Sequence, residues 1–202
     1  NLAYDQFYCE HIYVFSTLAL REVLKSFKLE IFDVENKKTH GGSNRYYIKK
    51  NTNSLYKINN RVNAEIKKEL QFGLNKFSTY QKFAKNVKIS KSKLLKIFSS
   101  LNKKKLRIIG YGATAKSCTV LNYCGLGKSD IKYFYDTTSY KVNKYLPGSK
   151  ILIKKYKKLD NKEIDVAFLG AWNFKKEIFK KEKKFIEGGG KFITHVPNPS
   201  II

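Results

Sequence analysis

The chain contains no methionine and begins with Asn1, which reads as a fragment or processed piece of a longer protein. Arginine is nearly missing too. It stands only at Arg21, Arg45, Arg61 and Arg107, although Lys and Arg together number 41 against 16 Asp and Glu. A formal charge of +25 would ordinarily suggest nucleic acid. Nucleic-acid readers, however, lean on bidentate guanidinium contacts, and lysine cannot supply them. Lysine enriched alongside Asn, Ile, Tyr and Phe is what an AT-rich coding sequence produces. Dedicated nucleic-acid binding is therefore not expected, while the charge still attracts small polyanionic substrates. Cysteine is scarce: Cys9, Cys118 and Cys124 form no C-x-x-C pair, offer no zinc framework and fit a reduced, cytoplasmic protein. His11, His40 and His195 are scattered, so no metal site is expected. No apolar run approaches the ~18 residues of a membrane span. The opening NLAYDQFYCEH has neither the basic start nor the apolar core of a secretion signal.

What the chain does have is enough apolar material for a core: 42% hydrophobic residues, with 14 Phe and 14 Tyr. STLALREVLKSF starts with a capping pair and carries Leu18, Leu20, Val23, Leu24 and Phe27 at helical spacing. KLEIFDVENK and SNRYYIKKN alternate as strands around the turn THGGS. A lysine-faced helical stretch is expected from about Leu55 to Phe83, and SKSKLLKIFSSLNKKK is expected to form another capped helix. From Leu106 strands alternate with helices: LRIIGYG, IKYFYD, SKILI, IDVAFLGAW and KFITHV are the strand candidates. ATAKSCTVLNYCG and FKKEIFKKEKKFIEGGG are the helices between them, the second closed by glycines. That alternation predicts an α/β fold with a parallel, doubly wound sheet.

LRIIGYGATAKSC holds Gly110-x-Gly112-x-x-Ala115 between a strand and a helix, the context of a dinucleotide-type phosphate turn. The first glycine permits the turn and the second a close backbone approach by a pyrophosphate. Ala113 and the helix start would present N–H groups, and Lys116 a charge. Asp136 ends the next strand, where a ribose-binding carboxylate would sit. The competing reading is structural, because any such sheet needs small residues at this turn. GLGKSD is not a P-loop, since Asn122 stands where glycine is required.

Three further stretches carry chemistry. YDQFYCEH brings Tyr8 and His11 three apart, either as a proton-transfer pair or as a hydrogen-bonded core histidine with an aromatic neighbour. THGGSNR offers His40, Gly41, Gly42, Ser43 and Arg45, suited to an anionic or polyhydroxyl ligand or simply to a hairpin turn. GAWNF puts Trp172 and Asn173 after a predicted parallel strand, where ligands of open sheets bind. An NAD(P)-binding oxidoreductase and a non-catalytic nucleotide-binding module are alternatives based on the glycine turn. The first rests only on Gly110, Gly112, Ala115 and Asp136.

Taken in order, YDQFYCEHIYVFSTLAL, FDVENKKTHGGSNRYYI, GYGATAKSCTVLNYCGLG, YDTTSYKVNKYLPGSKILI, VAFLGAWNF and GGGKFITHVP span nearly the whole chain. They resemble the C-terminal portion of the S-adenosylmethionine-dependent C-methyltransferases acting on nucleotide-linked keto-deoxysugars. The resemblance implies that residues 1–53 are the tail of the methyl-donor domain, a class I methyltransferase domain. Residues 54–103 would be linking helices and 104–202 a Rossmann-like nucleotide-sugar-binding domain. It implies His11 as general base with Tyr8 beside it at the reacting sugar, Cys9 standing where another residue is common. It further implies S-adenosyl-L-methionine as methyl donor, with most of its site upstream, and zinc only in an upstream region. The partner would be a nucleotide-linked sugar, with no membrane and no nucleic acid.

Overall fold

A computed structural model describes residues 2–202; Asn1 lies outside them. The chain divides into two compact units, one of residues 13–84 and a larger one of residues up to 12 together with 85–202.

In the smaller unit, α1 (Thr17–Lys25) begins where Ser16 accepts from the Ala19 N–H at 3.1 Å. Its two other leading amides, of Thr17 and Leu18, donate to the two carboxylate oxygens of Glu69 at 2.7 and 2.8 Å. Strands β1 (Leu29–Lys37) and β2 (Ser43–Lys50) form the expected antiparallel hairpin, irregular between Ile31 and Asp33. Leu24, Ile31, Val34 and Val62 make the core of this unit.

The helices that follow depart from the sequence reading. α2 (Asn60–Phe72) starts at the Asn59 cap and stops at Gly73, whose φ of 85° lies in the left-handed region that ends helices. α3 then runs without interruption through Phe77–Lys103. The break expected near residues 83–90 is therefore absent, because nothing between Ala84 and Ser90 caps or breaks a helix. The break falls at the one glycine of the stretch.

The larger unit is a six-stranded sheet in the order β5-β4-β3-β6-β7-β8. Its strands are β3 (Ile108–Tyr111), β4 (Phe134–Asp136), β5 (Ile153–Lys155), β6 (Val166–Leu169), β7 (Lys191–Thr194) and β8 (Ser200–Ile201). All neighbours are parallel except β7 and β8. The helices between the strands are α4 (Ala115–Cys124), α5 (Lys175–Lys181) and α6 (Lys183–Glu187). The alternation along each strand sends Ile108, Phe134, Val166 and Phe168 into a cluster with Leu94, Phe98, Val120 and Leu121. Ile109, Tyr111, Ala167 and Leu169 join Ile178, Phe185 and Phe192 in a second cluster on the other face. The sheet is thus covered on both faces, and its central strands β3 and β6 are buried along their whole length.

Three details differ from expectation. The strand expected over SKILI is displaced to Ile153–Lys155, since Leu152 instead bridges back to Tyr145. β8 is an additional two-residue strand. The single helix expected after Trp172 is divided at Glu182, whose φ and ψ of −101° and 24° leave the helical region. Its buried carboxylate accepts from the Tyr111 hydroxyl (2.9 Å), the Tyr156 hydroxyl (2.7 Å) and the Leu159 N–H (3.0 Å).

At the N-terminal ends of the strands Asp165 accepts from the Arg107 backbone N–H at 2.7 Å and from its guanidinium at 2.8 and 3.0 Å. The Arg107 hydrogen bonds hold the Asp165 carboxyl below its usual pKa. A depressed folded-state pKa contributes stability above the unfolded value and loses it as pH falls through the folded one. Asp165→Asn should therefore lower the melting temperature at neutral pH, and the gap to wild type should shrink below about pH 4 in thermal melts.

Candidate active site

The glycine turn after β3 is built from inside. A Cβ on Gly110 would lie 2.3 Å from ring carbons of Phe134, and Gly112 has a φ of 84° with Ala171 pressed against it. The Ala113 N–H donates to Asp136 Oδ2 at 2.8 Å, and the Thr138 N–H donates to Oδ1 at 2.8 Å. Lys141 Nζ donates to the Ala113 carbonyl at 3.0 Å and stands 3.9 Å from Asp136. Thr114 caps α4 by accepting from the Ser117 N–H at 3.1 Å, and Ser117 Oγ donates to the Gly112 carbonyl at 3.0 Å. Gly110, Gly112 and Asp136 therefore serve close packing and turn closure first. Lys116 is only 5% exposed, with Nζ 5.0 Å from the centre of the Trp172 ring. Burial pushes the Lys116 pKa down, and the charge of Asp5 opposes that shift.

The segment before residue 13 lies on this turn and on α4. Thr119 Oγ1 donates to the Phe7 carbonyl at 2.9 Å, and the Tyr4 hydroxyl meets Cys124 Sγ at 3.8 Å. Further along, the Tyr8 hydroxyl and His11 Nε2 are 2.8 Å apart, and His11 Nδ1 is 2.8 Å from the Gln6 carbonyl oxygen. A carbonyl oxygen only accepts, so Nδ1 carries hydrogen; in the neutral ring Nε2 then accepts from Tyr8. The two rings lie 4.0 Å apart between centroids, tilted by 31°. Burial raises the Tyr8 pKa, with Glu10 and Asp5 adding to it, so the phenol keeps its proton and acts as a donor.

Tyr8, Cys9 and Glu10 form one side of a cleft of about 500 Å³. Ala113 and the first turn of α4 form its floor, and Tyr140, Lys141, Lys144 and Tyr145 its far side. It sits beyond the C-terminal ends of β3 and β4, where open α/β sheets bind ligands. The model of a family described as the C-methyltransferase C-terminal domain matches residues 38–197. The chain belongs to that family. The C-methyltransferase NovU of Streptomyces niveus is 31% identical over 202 residues, all of this chain and 48% of that protein. The chain thus spans about half the length of the curated relative it matches.

In this C-methyltransferase domain the residues singled out from the sequence fall into separate places. Tyr8 and Ala113 face the cleft, and His11 is hydrogen-bonded to Tyr8. Gly110, Gly112, Lys116 and Asp136 build the turn or lie behind it. Trp172 and Asn173 occupy the short turn before α5, and the Trp172 indole N–H donates to Asp5. His40, Gly41, Gly42, Ser43 and Arg45 belong to the smaller unit. There His40 has a φ of 53° at the exposed hairpin turn, and Ser43 donates to the Thr39 carbonyl at 3.1 Å.

Sequence reasoning passed over the Lys141–Lys144 pair of the cleft wall. The spacing of YKVNKY, two lysines between two tyrosines just past a strand, was the available signal. Among the described residues no cluster of three or more His, Cys, Asp and Glu could hold a metal ion, and no helix is long and apolar enough to cross a membrane.

Proposed function

We propose that this domain holds the nucleotide-linked keto-deoxysugar substrate of an S-adenosylmethionine-dependent C-methyltransferase and supplies its base. The observation that carries the reading is the hydrogen-bonded Tyr8–His11 pair, with Tyr8 on the cleft wall, Nδ1 of His11 facing a backbone carbonyl and Nε2 facing the Tyr8 hydroxyl. His11 Nε2 removes the proton alpha to the sugar ketone. The Tyr8 hydroxyl then turns its hydrogen from Nε2 to the developing enolate oxygen. His11 leaves the step as imidazolium, and the enolate is left as the nucleophile that a bound methyl donor would alkylate, its S–CH3 bond breaking to leave the thioether.

In the same reading the sheet is a doubly wound, Rossmann-like nucleotide-sugar domain over 104–202, with linking helices over 54–103. Residues 1–53 are the tail of the methyl-donor domain, although those up to 12 cluster with the sheet. Gly110, Gly112, Ala113, Lys116 and Asp136 shape the cleft floor, and Lys144 gives the diphosphate an exposed charge. His40, Gly41, Gly42, Ser43, Arg45, Trp172 and Asn173 are further candidate contacts.

The glycine turn does not fit an adenosyl donor, because its leading amide and its carboxylate already satisfy each other. The same pairing speaks against an NAD(P)-binding oxidoreductase. S-adenosyl-L-methionine supplies an electrophilic methyl group when bound. We place most of its site, and the family's zinc, on residues outside this chain.

Titrating the chain with a nucleoside-diphosphate-linked deoxysugar, NAD and a DNA oligomer at ~150 mM salt tests the reading, since nonspecific phosphate binding weakens steeply with salt. The sugar nucleotide should bind, and Lys144→Ala should weaken it by about 1–3 kcal/mol. Saturable binding of NAD alone would overturn the assignment. S-adenosylmethionine should bind the chain poorly in calorimetry, with little or no turnover; micromolar affinity would place the donor site here after all.

A further inference from the structure

The segment that carries Tyr8 and His11 also carries a fully buried carboxylate that the reaction above does not use. Asp5 Oδ2 accepts from the Trp172 indole N–H and lies 3.0 Å from His195 Nε2, while Oδ1 has no partner among the described residues. His195 is equally buried, with its ring stacked on Phe168 at 5.7 Å and Tyr4 edge-on at 6.2 Å. Lys116 covers the Trp172 ring and interacts electrostatically with Asp5. Three other parts of the chain thus converge on this carboxylate of the N-terminal turn: α4, the short turn before α5 and the residue after β7. For stability alone, an apolar side chain of similar size would serve as well as a buried charge.

The next residue shows what the anchor controls. Asp5 lies within the 3-10 turn Tyr4–Gln6, whose buried side chains are Tyr4 and Asp5. The turn is closed by Gln6 N–H to the Ala3 carbonyl (3.1 Å) and Phe7 N–H to the Tyr4 carbonyl (3.3 Å). The Gln6 carbonyl leaves this turn to accept from His11 Nδ1. We propose that Asp5 is a positioning residue for His11. Fixed by Trp172 and His195, its carboxylate holds the turn so that the Gln6 carbonyl selects the Nδ1–H form of His11 and directs the Nε2 lone pair to Tyr8. The purpose of this arrangement rests on His11 being the base; the arrangement itself does not.

The two are tested separately. In the chain labelled with ¹³C,¹⁵N-histidine, NMR shifts of His11 should report Nδ1–H with Nε2 unprotonated. Asp5→Asn and Trp172→Phe should each admit the Nε2–H form. They should also speed amide exchange at residues 6–11 by roughly tenfold or more, leaving β3 and β6 as protected as before. A folded chain whose His11 stays in the Nδ1–H form in both variants overturns the proposal. Should Asp5→Asn fail to fold, Trp172→Phe decides alone, because it removes one donor and keeps an aromatic ring. In the whole enzyme Asp5→Asn should lower kcat by roughly 10- to 100-fold with KM for the nucleotide sugar little changed. A changed tautomer with unchanged turnover upholds the positioning and removes His11 from the base role.

Discussion

An enzyme carrying His11→Ala should keep its affinity for the nucleotide-linked sugar and lose methylation by about 10²–10⁴-fold, the range that a positioned general base contributes. The expectation follows from which atoms are already committed. Nδ1 faces the Gln6 carbonyl and Nε2 faces the hydroxyl of Tyr8, which lines the cleft, so Nε2 is the ring atom turned toward the cleft-wall residue. The cleft floor and far wall come from the turn after β3 and from Tyr140–Tyr145, so removing the imidazole leaves them in place. Tyr8→Phe should cost less than His11→Ala, since it takes away the donor to the enolate oxygen and leaves the base. The measurements are single-turnover methylation and calorimetric binding of the sugar nucleotide. Turnover close to wild type in His11→Ala would remove the base assignment.

The second large effect is on the fold. Glu182→Ala should destabilise the sheet unit by about 3–5 kcal/mol, because three donors lose their acceptor at once and an unsatisfied buried donor costs about 1–3 kcal/mol. Those donors are the Tyr111 and Tyr156 hydroxyls and the Leu159 N–H. Burial first, and the Glu182 carboxylate second, push the Tyr156 pKa up to about 12 and raise that of Tyr111 as well, so both remain donors near neutral pH. Glu182→Gln keeps one carbonyl oxygen and should lose roughly half as much. Amide exchange of β3 and β6 under mild denaturant reads the loss for this unit by itself. A change below about 1 kcal/mol would mean that the three donors find other partners.

The centre of the sheet was readable because β3, β4 and β6 are short apolar runs that end at a glycine or an aspartate, while the lysine-bearing β5 and the two-residue β8 carry no such pattern. The hairpin was readable from its alternation around THGGS, and the start of α1 from its Ser16 cap. What misled was local. A helical pattern across Gly73 looked continuous, although a single left-handed residue ended it. Glu182 looked like one more charge on a lysine-rich helix, and only its three partners from distant segments show why the helix divides there. At the site, Gly110 and Gly112 matched a phosphate turn, yet their spacing carries no information about Asp136 closing the turn against Ala113. Tyr8 and His11 were legible as a pair from their spacing. The pairing of Asp5 with His195, 190 residues away, was not.

The cleft wall has one more consequence. Its backbone also covers the outer strand: the Asn143 N–H donates to the Ile153 carbonyl at 2.8 Å and the Ile153 N–H to the Lys144 carbonyl at 2.8 Å. Beyond Ile153 that margin shows only the exposed Lys154 and Lys155, and at the opposite margin β8 is two residues long. Neither border offers a long, flat, apolar ladder to another chain, so growth by cross-strand addition, the usual route to β-aggregates, is blocked at both ends. For the six-stranded sheet, the wall that shapes the cleft thus also shields its outer edge from another strand.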